Sequence, residues 1–218
     1  MNVLLLGGTG RCGSRVLAQL LARGVPVSAP DSMELDLTRM HMPRAWQPWL
    51  DGADVVIHAA GILRERGADT FAAHRAAACA LAQACAGGGP RHVIALSAAG
   101  ANAGSDVPWF AARGAADDAL VALALPVSAD APAAPFSSEA LTPRVTIVRA
   151  GALYLDADGR ARRFHPQALT LDWRAATGSL PLTSLADAAA VLVRAALSPA
   201  PSAHAVIDLA EPSLARAA

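Results

Sequence analysis

The chain has 218 residues, no formal net charge, and 54% hydrophobic against 17% charged residues. That length suits one domain burying about 70% of its unfolded surface. The charge balance leaves no basic excess to neutralise a nucleic-acid backbone, and no apolar stretch approaches the roughly 18 residues of a membrane span. Three cysteines, Cys12, Cys79 and Cys85, have neither CxxC nor metal-ligand spacing. They predict free thiols in a reducing cytoplasm and no metal site. All 18 basic residues are arginines, so lysine is absent, and Tyr154 is the one tyrosine.

Val3 to Leu6 form an apolar run that breaks into Gly7, Gly8, Thr9, Gly10 and Gly13, after which Val16, Leu17, Leu20 and Leu21 recur at helical spacing. This is strand, glycine turn, helix. Glycines let a phosphate approach the helix N-terminus closely, where backbone N–H groups and the helix dipole hold the anion. The loop residues Gly7, Thr9, Gly10, Arg11, Cys12 and Gly13 are therefore candidates for holding a dinucleotide.

Val25, Val27 and Ser28 form a second strand ending at Ala29, Pro30 and Asp31. An acid about 20 residues past the glycines is placed to bond the adenosine ribose hydroxyls, although a turn aspartate beside a proline reads equally well. No arginine lies between Arg23 and Arg39, which favours NAD over NADP. Asp36 and Leu37 precede a helical stretch through Trp46 to Leu50. The buried-strand pattern Asp54–His58 then empties into Ala59, Ala60 and Gly61, small residues that leave room for a ligand.

Residues 65 to 87 carry Phe71, Ala78, Leu81, Ala82 and Cys85 as a helical stripe, stopped by Gly87-Gly88-Gly89-Pro90. His92 to Leu96 is the fourth strand, followed by Ser97, and Trp109 to Leu125 the next helix. Residues 126–143 are rich in Pro, Ala and Ser and read as a loop or flap. Arg144 to Arg149 is the fifth strand. Residues 150–183 show little periodicity and form a small substrate-side region; Arg160, Arg162, Arg163 and His165 follow the Asp158-Gly159 turn and either meet an anionic ligand or, as the safer reading, form a solvated charged loop. Ser184 to Asp187 is a capping box for a helix to Leu197, and Ala205 to Leu209 a last strand. The alternation predicts one α/β domain over 1–218, a Rossmann-type doubly wound parallel sheet with helices on both faces.

Together these segments resemble the extended and atypical short-chain dehydrogenase/reductase superfamily, which includes the epimerase/dehydratase type. The matching motifs are GGTGRCG, LDL, HAAG, VIALSA, TIVRAG and PLTSLADAA, in the family's order over nearly the whole chain. The pattern of His74, Leu81 and Cys85 is most like NmrA-like proteins and the nucleotide-binding accessory subunit of respiratory complex I. LDLT is similar to deoxysugar-forming sugar-nucleotide reductases, whose substrate domain is larger. The resemblance implies NAD or NADP at the glycine loop, Asp36, Leu37, Ala59, Ala60, Gly61, His74 and Ser97.

It also implies catalysis by a Tyr-x-x-x-Lys pair with a serine at the end of the fourth strand. Aligning RGAADDAL, from Arg113 to Leu120, with the family's pattern puts Trp109 at the tyrosine and Arg113 at the lysine, while Ser97 or Ala98 takes the serine position. An indole has no proton to exchange near neutral pH. The leading expectation is a dinucleotide-binding protein without standard catalysis, serving in sensing, assembly or support. Two alternatives are an oxidoreductase or epimerase using Arg113 with water or His74, and an interaction module that has lost its nucleotide.

Overall fold

A computed structural model describes residues 1–61, 70–124, 143–157, 160–162, 182–198 and 204–209. The central sheet contains β1 (Val3–Leu6), β2 (Val27–Ser28), β3 (Val55–His58), β4 (His92–Ala98), β5 (Arg144–Ala150) and β9 (His204–Asp208). All its pairings are parallel, in the order β2-β1-β3-β4-β5-β9. Its inner strands read as nearly unbroken apolar runs because helices cover both faces. The chain steps outward from β1 to β2 and then returns to the other side of β1 for β3. This reversal opens a crevice between the carboxyl ends of β1 and β3.

Alternation along the strands divides the core in two. Val3 and Leu5 point to one face with Cys12, Val16 and Leu20 of α1 (Arg11–Leu21) and Leu185, Leu192 and Ala196 of α5 (Leu185–Leu197). Leu4 and Leu6 point to the other, with residues of α2 (Pro43–Leu50), α3 (Thr70–Ala86) and α4 (Pro108–Leu123). A short 3-10 turn, Leu37–Arg39, packs on α3. Ser184 caps α5 as its sequence predicts, its hydroxyl accepting from the backbone N–H groups of Ala186 at 3.1 Å and Asp187 at 3.3 Å. No described helix is long and apolar enough to cross a membrane.

Residues 150–183 differ from the expectation of an aperiodic, charged loop. Described parts of this stretch form a second sheet, β6 (Ala152–Ala157) paired antiparallel with β7 (Arg160–Arg162) and parallel with β8 (Leu182–Ser184). Two of these strands have three residues, too few for a period of two to register in sequence. The Asp-Gly pair between β6 and β7 was the available hairpin signal. Arg160 and Arg162 thus belong to a strand backbone, while Arg163 and His165, and all but the last residue of the Pro/Ala-rich segment 126–143, lie outside the described residues.

Trp46 is fully buried, and its Nε1 donates to the Met40 carbonyl at 3.0 Å. Trp46→Ala removes the largest side chain of its half-core and leaves that carbonyl without its partner. Urea denaturation should show a loss of about 3–5 kcal/mol.

Candidate functional site

The glycine loop is a turn folded onto itself. Gly7 has φ +83°, and a Cβ there would lie 2.6 Å from the Ala60 Cα. A side chain is barred both by the left-handed backbone and by the end of β3. A Cβ on Gly13 would collide with the Gly7 carbonyl oxygen, which also accepts from the Gly10 N–H at 2.9 Å. The first turn of α1 is therefore pressed directly against the end of β1. Gly10 is the N-cap of α1 and makes no side-chain cap hydrogen bond. Backbone donors in this position suit a diphosphate.

Thr9, Gly10 and Arg11 are exposed at the rim. Cys12 points the opposite way, 5% exposed within the core, and burial pushes its thiol up to about 11 against the opposing pull of Arg15. Its sulfur is a packing group, poorly placed and poorly ionised for redox chemistry. All three cysteines are free.

The structure brings the expected second wall alongside. The Ala59 N–H donates to the Leu6 carbonyl at 3.0 Å, Ala60 faces Gly7, and exposed Gly61 continues the crevice. Ala29, at the end of β2, lies beside Gly8. Asp31 follows, its Oδ1 accepting from the N–H groups of Met33 at 2.7 Å and Glu34 at 3.0 Å. It therefore makes the turn that its proline neighbour suggested. Asp36 accepts from the Thr38 N–H at 2.9 Å and hydroxyl at 2.7 Å, bonds that hold its carboxyl below the usual range. Arg39 pairs with it at 3.4 Å. Leu37 packs on the α2–α3–α4 half-core.

Beyond Gly61 a small cavity of about 40 Å³ lies between α3 and α4, bordered by His58, Gly61, His74, Trp109, Arg113 and Asp117. The Arg113 guanidinium donates from Nη1 to the Leu96 carbonyl at 3.0 Å and sits 5.7 Å from the centre of the half-buried Trp109 ring. It also presses on Gly61, where any Cβ would meet it. Ser97 is turned away from the crevice: its hydroxyl donates to Asp117 Oδ2 at 2.8 Å, and Arg149 Nε approaches the same oxygen at 3.4 Å. Burial raises the Asp117 carboxyl above its ordinary value, with Ser97 and Arg149 working against that rise.

His58 and His74 complete this wall. His58 is 7% exposed and its Nε2 has no hydrogen-bond partner. Burial, then the positive charge of Arg113, pushes its pKa down to about 4. His74 is half-buried and shifted down by the same two causes, with Asp36 opposing. Sequence reasoning found His74 and Arg113 but missed His58, Asp117 and Arg149. A histidine closing an otherwise apolar strand, and an acid one helical turn after Arg113, were the signals available.

Residues 3–111 match the model of the NAD dependent epimerase/dehydratase family. Comparison with curated protein sequences finds no significant match. Among solved structures, the Thermotoga maritima UDP-glucose 4-epimerase with UDP-glucose is similar with a TM-score of 0.64 and 16% identity, over 96% of this chain and 76% of that one. The Thermus thermophilus UDP-glucose 4-epimerase in complex with NAD gives 0.60 and 16%, over 95% and 77%. MoeE5 in complex with UDP-glucuronic acid and NAD gives 0.62 and 19%, over 95% and 76%. At such identities the likeness is one of fold.

Two buried histidines set an acid limit on this fold. His58 and His92 both have folded pKa values near 4, below the usual 6.5, so the unfolded chain takes up more protons between those limits. Stability should be complete above about 6.5 and fall as the pH drops toward 4. Urea midpoints measured across that window should show the decline, and His58→Gln should make it shallower.

Proposed function

Because the chain belongs to the NAD dependent epimerase/dehydratase family, we propose that it binds NAD or NADP in the β1–β3 crevice but does not perform the family's usual tyrosine–lysine proton transfer. Its role is then to sense the cofactor, to support an assembly, or to present the bound dinucleotide to another reaction. The glycine loop is the support for binding. Its exposed rim, the lack of a side-chain cap hydrogen bond on α1 and the small residues Ala59 to Gly61 leave room for a diphosphate at the helix N-terminus.

In this reading the first turn of α1, around Arg11, Cys12 and Gly13, receives the diphosphate through backbone N–H groups. Asp31 and Asp36 lie toward the adenosine, and Leu37 offers it an apolar edge. Asp31 would accept from the ribose hydroxyls with whichever carboxylate oxygen its turn leaves available. NAD is favoured over NADP because no arginine lies between Arg23 and Arg39 and Arg39 pairs with Asp36. His74 and Trp109 lie toward the nicotinamide end. The dinucleotide, when bound, supplies hydride chemistry; the protein contributes position and electrostatics.

The single observation that carries the second half of the proposal is the lack of lysine, joined to Trp109 and Arg113 at the positions of the pair. Without a phenol at that place the family's usual proton donor is missing. Ser97 also has its hydroxyl committed to Asp117.

Calorimetry with oxidised and reduced NAD and NADP should give saturable binding, tighter for NAD. Absence of binding by all four at millimolar concentration would overturn the dinucleotide reading. Gly13→Ala should abolish binding, since its Cβ displaces the Gly7 carbonyl. Asp31→Asn keeps an oxygen for the turn but removes the charge, and should narrow the preference for NAD. NADH absorbance followed against carbonyl and nucleotide-sugar panels should remain constant; substrate-dependent turnover would reject the inactive reading.

A further inference from the structure

The turn that follows β2 fixes its own backbone and leaves one side chain in water. Asp31 Oδ1 accepts from the N–H groups of Met33 at 2.7 Å and Glu34 at 3.0 Å, and Glu34 Oε2 accepts in return from the Asp31 N–H at 3.1 Å. The Leu35 N–H donates to the Asp31 carbonyl at 2.9 Å, and the Leu35 side chain is buried with Leu4 and Leu6 in the α2–α3–α4 half-core. Between this cap and this anchor Met33 projects outward, 91% exposed.

The chain has four methionines, and their surroundings differ. Met1 is 52% and Met42 45% exposed, while Met40 is 8% exposed within the core. Oxidation of a thioether follows the access of the oxidant to its sulfur, so exposure ranks the four with Met33 first. The carboxylates of the turn, Asp31 and Glu34, oppose an anionic oxidant but not a neutral hydroperoxide. The place of the turn gives such a reaction a consequence: Ala29, at the end of β2, lies beside Gly8 of the glycine loop, and Asp31 follows two residues later.

We propose that Met33 is a site of reversible oxidation by hydroperoxides and that its sulfoxide weakens the hold on the adenosine end of the dinucleotide; the second half rests on dinucleotide binding in the β1–β3 crevice. The sulfur attacks one peroxide oxygen, so that an S–O bond forms as the O–O bond breaks. Sulfur gives up an electron pair, and the departing oxygen takes the proton and leaves as water or an alcohol. A thioether sheds little water when an apolar ring covers it. A sulfoxide carries an acceptor oxygen that must lose its hydrogen-bonded water, and the carboxylates of Asp31 and Glu34 offer it no donor in exchange. Because the turn is fastened at Asp31 and Leu35, the change stays at the tip and the fold is retained.

Dinucleotide-free protein treated with hydrogen peroxide, its methionine peptides followed by mass spectrometry, reads the first half directly. Met33 should gain an oxygen ahead of Met1 and Met42, and about tenfold or more faster than Met40. Calorimetry on protein oxidised at Met33 should show NAD binding weakened by about fivefold, with the thermal midpoint unchanged. Methionine sulfoxide reductases for both epimers, with a dithiol, should restore the affinity. Met33→Leu should make NAD affinity indifferent to the same treatment, and Met33→Gln should bind as the oxidised protein does. Oxidation of Met33 no faster than of Met40, NAD affinity unchanged after full conversion, or the same loss in Met33→Leu would each overturn the proposal. The order of oxidation is read without any nucleotide, and Gly13→Ala, which abolishes dinucleotide binding, should leave that order as it is, so that each reading can fail alone.

Discussion

The close approach of Gly13 to the Gly7 carbonyl is the constraint on which the rest of the crevice depends. It presses the first turn of α1 against the end of β1, while Gly7, in a left-handed conformation, rests against Ala60. Three elements meet there with backbone alone between them. The crevice is consequently lined by peptide groups on both walls, and the hydrogen bonds it can offer come from N–H groups whose positions are fixed by the fold. The same geometry turns Cys12 inward, where it packs with Val16 and Leu20.

Around the far end of the crevice the side chains are rearranged about Arg113. The guanidinium lies beneath Trp109 and over Gly61, bonded to the Leu96 carbonyl, and so ties α4 to the ends of both β3 and β4. Asp117 fastens the next turn of α4 to Ser97 on β4 and Arg149 on β5. These contacts make the α4 face a structural clamp. They hold α4 against the sheet in a fold shared with UDP-glucose epimerases.

Much of this was legible in the chain. Unbroken apolar runs identified β1, β3, β4 and β5, the glycines identified the turn, and Ser184 identified the start of α5. The strands of the second sheet escaped because Arg160–Arg162 and Leu182–Ser184 are too short to express alternation. Within the site, backbone-determined features were readable: Gly7, Gly13 and Ala60 are constrained by local sterics. Side-chain partnerships were not. Whether Ser97 points at the crevice or at Asp117 depends on the phase of β4 against α4, and His58 acquires its meaning from Arg113, 55 positions away. Asp31 shows the limit plainly, since a turn aspartate and a ribose-facing one have the same sequence signature.

The contact of Arg113 with Gly61 also has a thermodynamic side. One layer of backbone separates the dinucleotide crevice from the α3–α4 cavity, and a single guanidinium bears on it. Anything that draws Arg113 toward the cavity alters the support beneath Gly61, and anything seated against Gly61 alters the freedom of Arg113.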